Sequence, residues 1–227
     1  MSDNDYDPIG GHTKEEADAA YEALLGELHG YGLPGGQREK VAVVGHVWPD
    51  TDCVCAAIAY ARLKDMTDPG REHVPFRAGP LNEETEYVLR RFGAPVPELF
   101  PGPAGKGAKT ILVDHNKKSR LPDGVDMKYD VIEIIDHHRL REVETAVPIR
   151  VRCEPCGATG TILYGMYLEN GLVPDAQAAG LLCAGIISDT WLLRTEKTAR
   201  ADRLACAALA NIAGVDIEEL AGEMFRA

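Results

Sequence analysis

Beyond residue 38 the chain alternates between two hydrophobic rhythms. Short runs of β-branched and aliphatic residues at Val41–Val44, Val74–Arg77, Thr110–Val113, Val131–Ile135 and Ile149–Arg152 predict strands. Between and after them, apolar positions recur every three or four residues over Cys53–Lys64, Glu83–Phe92, Thr159–Glu169, Ala176–Ile187, Arg200–Ile212 and Ile217–Phe225, which predicts helices. Strands alternating with helices at this spacing imply an α/β fold, a mostly parallel β-sheet flanked by helices. Upstream, the Thr13-x-x-Glu16 capping box followed by Ala20, Leu24, Leu25 and Leu28 predicts an amphipathic helix over residues 13–31. Leu33-Pro34-Gly35-Gly36 breaks it, dividing the chain into an N-terminal extension, residues 1–37, and a main domain, residues 38–227. The Gly/Pro-rich stretch Gly102–Gly107 reads as a surface loop.

Composition narrows this picture. The 227 residues suffice for one α/β domain with a full core, and 45% apolar with 26% charged residues is a globular balance. No run approaches the ~20 apolar residues of a membrane span, so no membrane partner is expected. Met1–Gly11 is acidic and polar, without the basic and apolar tandem of a secretory signal, and a cytoplasmic location is the expectation. Thirty-six acidic against 24 basic residues give a net charge of −12, which disfavours binding to a nucleic-acid backbone. Bound divalent cations can neutralise part of that acidity, so a small anionic substrate stays open. The six cysteines show no disulfide framework, and Cys153-x-x-Cys156 lacks the second pair that would make a zinc site.

Three apolar runs end alike: Val-Ala-Val-Val-Gly-His46, Thr-Ile-Leu-Val-Asp114-His115-Asn116 and Val-Ile-Glu-Ile-Ile-Asp136-His137-His138. In an open parallel sheet, adjacent strands deliver their carboxyl ends to one crevice, where these imidazoles and carboxylates would converge. After the first run, Pro49 stiffens a loop that carries Asp50 and Asp52, two carboxylates on irregular backbone at a spacing that suits two metal ions. The apolar segment Ala178–Ile187 leads into Ser188-Asp189-Thr190, a further carboxylate where a buried element emerges. Aspartate and histidine donors without cysteine favour two divalent metal ions, Mn²⁺ first, then Co²⁺, Mg²⁺ or Zn²⁺.

These segments, with Gly157-Ala-Thr-Gly-Thr161, resemble the five ordered motifs of DHH phosphoesterases, in the form found in family II, manganese-dependent inorganic pyrophosphatases. The Asp-Thr-Asp version of the first motif and Gly79-Pro-Leu-Asn-Glu-Glu-Thr85 lean toward the pyrophosphatase branch. The resemblance implies that His46 and Asp50 hold one metal, that Asp52, His137 and Asp189 hold the other, and that Asp114 bridges them. It places Asp136 behind the ligands and His138 against the substrate, as a general acid. Ions about 4 Å apart would then activate a water for in-line attack on a small phosphate-containing substrate. The family also implies a homodimer.

Two departures from the family stand out. Family II pyrophosphatases carry a second, C-terminal domain whose Lys and Arg side chains clamp the substrate; the matching residues here run to Ala227, about where the linker to it begins, so the expected fold lacks that domain. After Asp114-His-Asn116, relatives often have an acid where this chain has Lys117-Lys118-Ser-Arg120. Lys117 and Lys118, with Arg139 and Arg141, are candidates to replace part of the missing clamp. The leading expectation is hydrolysis of pyrophosphate; the alternatives are a phosphodiesterase for short oligonucleotides or cyclic dinucleotides, and a metal-binding interaction module without turnover.

Overall fold

The computed structural model describes residues 38–103 and 108–227. The chain divides into two units, Met1–Glu39 and Lys40–Ala227, and apart from Arg38 and Glu39 the described residues belong to the second. The helix expected over residues 13–31 lies outside the described residues, as do 104–107 of the expected loop.

Six strands, β1 (Glu39–Val44), β2 (Arg71–Arg77), β3 (Glu98–Leu99), β4 (Thr110–Val113), β5 (Val131–Asp136) and β6 (Arg150–Cys153), form one sheet in the order β3-β2-β1-β4-β5-β6. The pairs β1/β4, β2/β3, β4/β5 and β5/β6 are parallel. The chain therefore builds outward in one direction from β1, then returns and builds in the other from β4, and the direction reverses between those two strands. Among the described residues six α-helices accompany the sheet: α1 (Thr51–Thr67), α2 (Glu83–Arg91), α3 (Thr159–Glu169), α4 (Ala176–Thr190), α5 (Arg200–Ala213) and α6 (Ile217–Met224).

Both faces of the central strands are covered, which is why their sequences read as unbroken apolar runs. Val43, Ile111, Val113 and Ile135 face the main core, shared with helices including α1, α3, α4 and α5. Val44, Leu112 and Ile134 face the opposite way into a smaller core closed by Val125 and Met127. Among the described residues no helix is long and apolar enough to cross a membrane.

The expected elements recur with shifted ends. Helix α1 starts at Thr51, two residues before the expected Cys53, because the Asp50 side chain caps it by accepting from the Cys53 amide at 3.0 Å. Asp52 thus stands in the first turn of a helix and not on the irregular backbone expected for it. Strand β2 begins at Arg71 and tolerates Pro75 because its neighbour β3, too short to announce itself in sequence, pairs only with Phe76 and Arg77.

Candidate metal centre

The strand order brings the chemistry together. His46 follows β1, Asp114 follows β4, and Asp136 ends β5 directly before His137, so the ends of three adjacent strands open on the point where the sheet order reverses. Asp114 turns the chain there with a left-handed backbone, φ 63°, a conformation aspartate tolerates better than most residues. Its amide donates to the Ile135 carbonyl, so the turn is tied to β5. Asp50 and Asp52 arrive on the start of α1, and Asp189 on the last turn of α4.

Two groups of side chains result. His46 Nε2 lies 3.5 Å from Asp50 Oδ2 and 3.5 Å from Asp114 Oδ2. His137 Nε2 lies 3.2 Å from Asp114 Oδ1 and 3.3 Å from Asp189 Oδ2. Donor atoms of His46, Asp50 and Asp114 cluster closely enough to share one ion, those of Asp52, His137 and Asp189 a second, and the two oxygens of Asp114 face one histidine each. The structure thus assembles all six expected ligands in two groups that meet at Asp114.

Both imidazoles are oriented from behind. His46 Nδ1 donates to the Val47 carbonyl at 2.9 Å and His137 Nδ1 to the Cys156 carbonyl at 3.2 Å, which leaves each Nε2 as the atom facing the carboxylates. His137 Nε2 is buried between the Asp114 and Asp189 carboxylates and has no hydrogen-bond partner. A buried ring nitrogen left open among carboxylates fits a divalent cation, and the donor set fits a hard to borderline ion.

Charge tells the same story. Burial disfavours protonated His46, but Asp114 and Asp50 outweigh it and push its pKa up to about 10. Burial likewise opposes protonated His137, and Asp114 and Asp189 push it up to about 11. Burial works to raise the Asp114 carboxyl, yet His137 and His46 hold it well below the usual range. Asp52, wholly buried and near Asp114 and Asp189, is held well above it. The pocket demands positive charge, which protons supply when metal does not. Metal ions need neutral imidazoles and an ionised Asp52, so binding at pH 7 is expected to release protons from these groups and to tighten as pH rises. Calorimetric titration in buffers of different ionisation enthalpy measures that release; a buffer-independent heat would contradict it.

The model of the DHH family, N-terminal domain, matches residues 40–186. The chain belongs to the DHH family. Among curated DHH relatives, proteins described as probable manganese-dependent inorganic pyrophosphatases from Clostridium acetobutylicum and Bacillus licheniformis are 42% and 43% identical over 190 and 188 residues. Those matches take in 84% and 83% of this chain, which spans 60% of each relative's length. A Methanococcus jannaschii crystal structure, described as a candidate family II inorganic pyrophosphatase, aligns with TM-score 0.73 at 38% identity over 82% of this chain and 60% of its own. An exopolyphosphatase-related protein from Bacteroides fragilis shares the fold, with TM-score 0.67 at 15% identity.

Around this DHH site the structure adds supports that sequence reasoning missed, because most are interactions between distant segments. Asp52 accepts from the amides of Thr159 at 2.7 Å and Gly160 at 3.1 Å, so the start of α3 grips it. Thr159 Oγ1 donates to Asp114 Oδ1 at 3.0 Å. Lys197 places its ammonium 2.9 Å from Asp189 Oδ2. Gly185 of α4 packs on Asp52, where an added Cβ would fall 2.6 Å from Oδ1 and 3.1 Å from Cα. Gly185→Ala is expected to destabilise the fold by about 1–3 kcal/mol through overpacking, read as a lower midpoint in urea. An unchanged midpoint would mean that α4 and α1 separate freely there.

Other expected residues divide. His138 is half exposed; its Nδ1 lies 2.9 Å from Asp136 Oδ1, which orients the ring beside the site. Lys117 lines a cavity of about 510 Å³ with His46, Asp50, Asp114 and His138. Lys118 turns away to Glu144, 3.7 Å off, and does not line that cavity. Cys53, near His46 and Asp50, has a thiol pushed up by burial and by the nearby carboxylates of Asp114 and Asp50; it donates to the His46 carbonyl and steadies the loop. All six cysteines are free.

Proposed function

We propose that this chain is the metal-binding half of a phosphoanhydride hydrolase whose substrate is inorganic pyrophosphate, working with two divalent ions, Mn²⁺ foremost. The carrying observation is the pair of histidines held from behind by backbone carbonyls, with both Nε2 atoms turned into carboxylates that meet at Asp114. The names of relatives that this chain covers over 60% of their length support the substrate.

In this reading His46, Asp50 and Asp114 hold one ion and Asp52, His137, Asp189 and Asp114 the other. Bound divalent ions supply polarisation of phosphoryl oxygens and a water of lowered pKa. The chain's own residues do the rest. Asp136, acceptor toward His138 Nδ1, leaves His138 Nε2 free to hold a proton for the departing phosphate. Thr159 and Gly160 fix Asp52, and Thr159 fixes Asp114, so the carboxylates need no reorganisation when substrate arrives. A cytoplasmic location, supported by six free cysteines, and a homodimer, supported by the family resemblance, complete the proposal. The net charge of −12 supports a small substrate in preference to nucleic acid.

The test is phosphate release from pyrophosphate by metal-stripped protein resupplied with Mn²⁺, Co²⁺ or Mg²⁺. Release that depends on added metal is expected. No release with two ions bound would overturn the reading in favour of another phosphoester or of a binding module.

A further inference from the structure

The cavity beside the metal ligands has a second wall of opposite sign. Lys117, Arg120, Arg139 and Arg141 all line it. Among the described residues none of these four forms an ion pair, although the chain carries twelve more acidic than basic groups. Four unpaired cations around one concavity are a costly arrangement unless an anion answers them.

Their backbone is pinned to the site. Asn116, buried beside Asp114, accepts from the Arg141 amide at 2.6 Å and donates to the Arg139 carbonyl at 3.2 Å and to Asp136. The turn from Lys117 to Arg120 is fastened at its far end, where the Arg120 carbonyl accepts from the Val47 amide at 3.0 Å, next to His46. One asparagine and one backbone bond thus lock two basic segments to the strand ends that carry the metal ligands.

A second feature of the cavity is independent of charge. His115 lines it too; its Nδ1 donates to the Val113 carbonyl at 3.2 Å, and its buried Nε2 has no partner within the protein. With Nδ1 donating, that nitrogen is an acceptor and offers nothing to a phosphate oxygen, so the cations alone carry the charge of this wall.

We infer that Lys117, Arg120, Arg139 and Arg141 form an anion subsite that takes the phosphate group of a linear phosphoanhydride lying farther from the metal ligands. The inference rests on the hydrolase reading above and deepens it: the domain carries its own phosphate clamp, built from the segments that follow β4 and β5. Guanidinium forks suit the planar pairs of phosphate oxygens, and Lys117 adds a point charge.

The probe is methylenediphosphonate, a pyrophosphate analogue with an uncleavable carbon bridge, titrated calorimetrically into the Mn²⁺-loaded full chain. Arg139→Gln/Arg141→Gln is expected to weaken binding roughly 30- to 100-fold, at about tenfold for each charge-assisted hydrogen bond removed. Lys117→Gln, on the other segment, is expected to weaken it about tenfold. Lys128→Gln, which removes a cation that pairs with Glu144 away from the cavity, should bind as the parent does. Equal binding by the parent and both cavity variants overturns the subsite, as does an equal loss in Lys128→Gln or no binding by the parent. Selective loss in the cavity variants together with no pyrophosphate hydrolysis by the parent upholds the subsite and overturns the hydrolase reading, so the two fail separately. Manganese stoichiometry, unchanged in the variants, shows that any loss is not misfolding.

Discussion

Asp114→Ala is expected to reduce metal-dependent phosphate release at least about 10³-fold, some 4 kcal/mol of transition-state stabilisation, and to lower the bound-metal count from two to at most one. The size of the effect follows from position. Each oxygen of Asp114 faces a different histidine, so a single truncation removes a donor from both groups, where Asp50→Ala or Asp189→Ala would remove one. The same truncation frees Thr159 Oγ1, which donates to Asp114. Metal analysis and circular dichroism on the same sample separate loss of the proposed bridge from loss of fold. A variant that keeps two ions, or more than a tenth of the activity, would show that the two groups do not share this residue.

Asp202→Ala is expected to be strongly destabilising although Asp202 is not itself a proposed ligand, by about 3–5 kcal/mol, with Tm falling roughly 10 °C. Asp202 is wholly buried and accepts from the Gly157 amide at 2.8 Å, the Ala199 amide at 2.6 Å and Thr161 Oγ1 at 2.6 Å. Alanine would leave the buried Gly157 amide and Thr161 hydroxyl, and the partly buried Ala199 amide, without this acceptor. Because Gly157–Thr161 leads into the amides that grip Asp52, the damage is also expected to reach the metal site and weaken ion binding severalfold. Asp202→Asn, which keeps one acceptor oxygen, should recover part of the stability. Urea denaturation of both variants decides the matter: a loss below about 1 kcal/mol for alanine would mean that water takes the carboxylate's place.

How much of this was legible in sequence follows the range of the interactions involved. Thr110–Val113 and Thr159–Glu169 are found at the limits their patterns predict, because burial of a whole strand and of a helix face is written in consecutive residues. The convergence of His46, Asp114 and His137 was also legible, since parallel topology fixes which strand ends share a crevice. What local pattern could not show is how distant segments meet. Nothing near Asp202 or Asn116 in sequence marks either as the fastening of a loop. Lys117 and Lys118 read as equivalent until Glu144 draws one of them aside. Asp52 read as a loop residue because the capping role of Asp50 moves the helix start two residues upstream.

The reversal of strand order between β1 and β4 also sets when the centre can exist. His46, Asp50 and Asp52 are all made before β2, and Asp114, His137 and Asp189 only from the end of β4 onward. A ribosome that has delivered the chain through β3 has released three ligands and no site, and the other three arrive over the next stretch of synthesis, the last of them with α4. With the proposed ligand set, capture of an ion pair would report that the central seam between β1 and β4 has closed, before α5 and α6 need to be made.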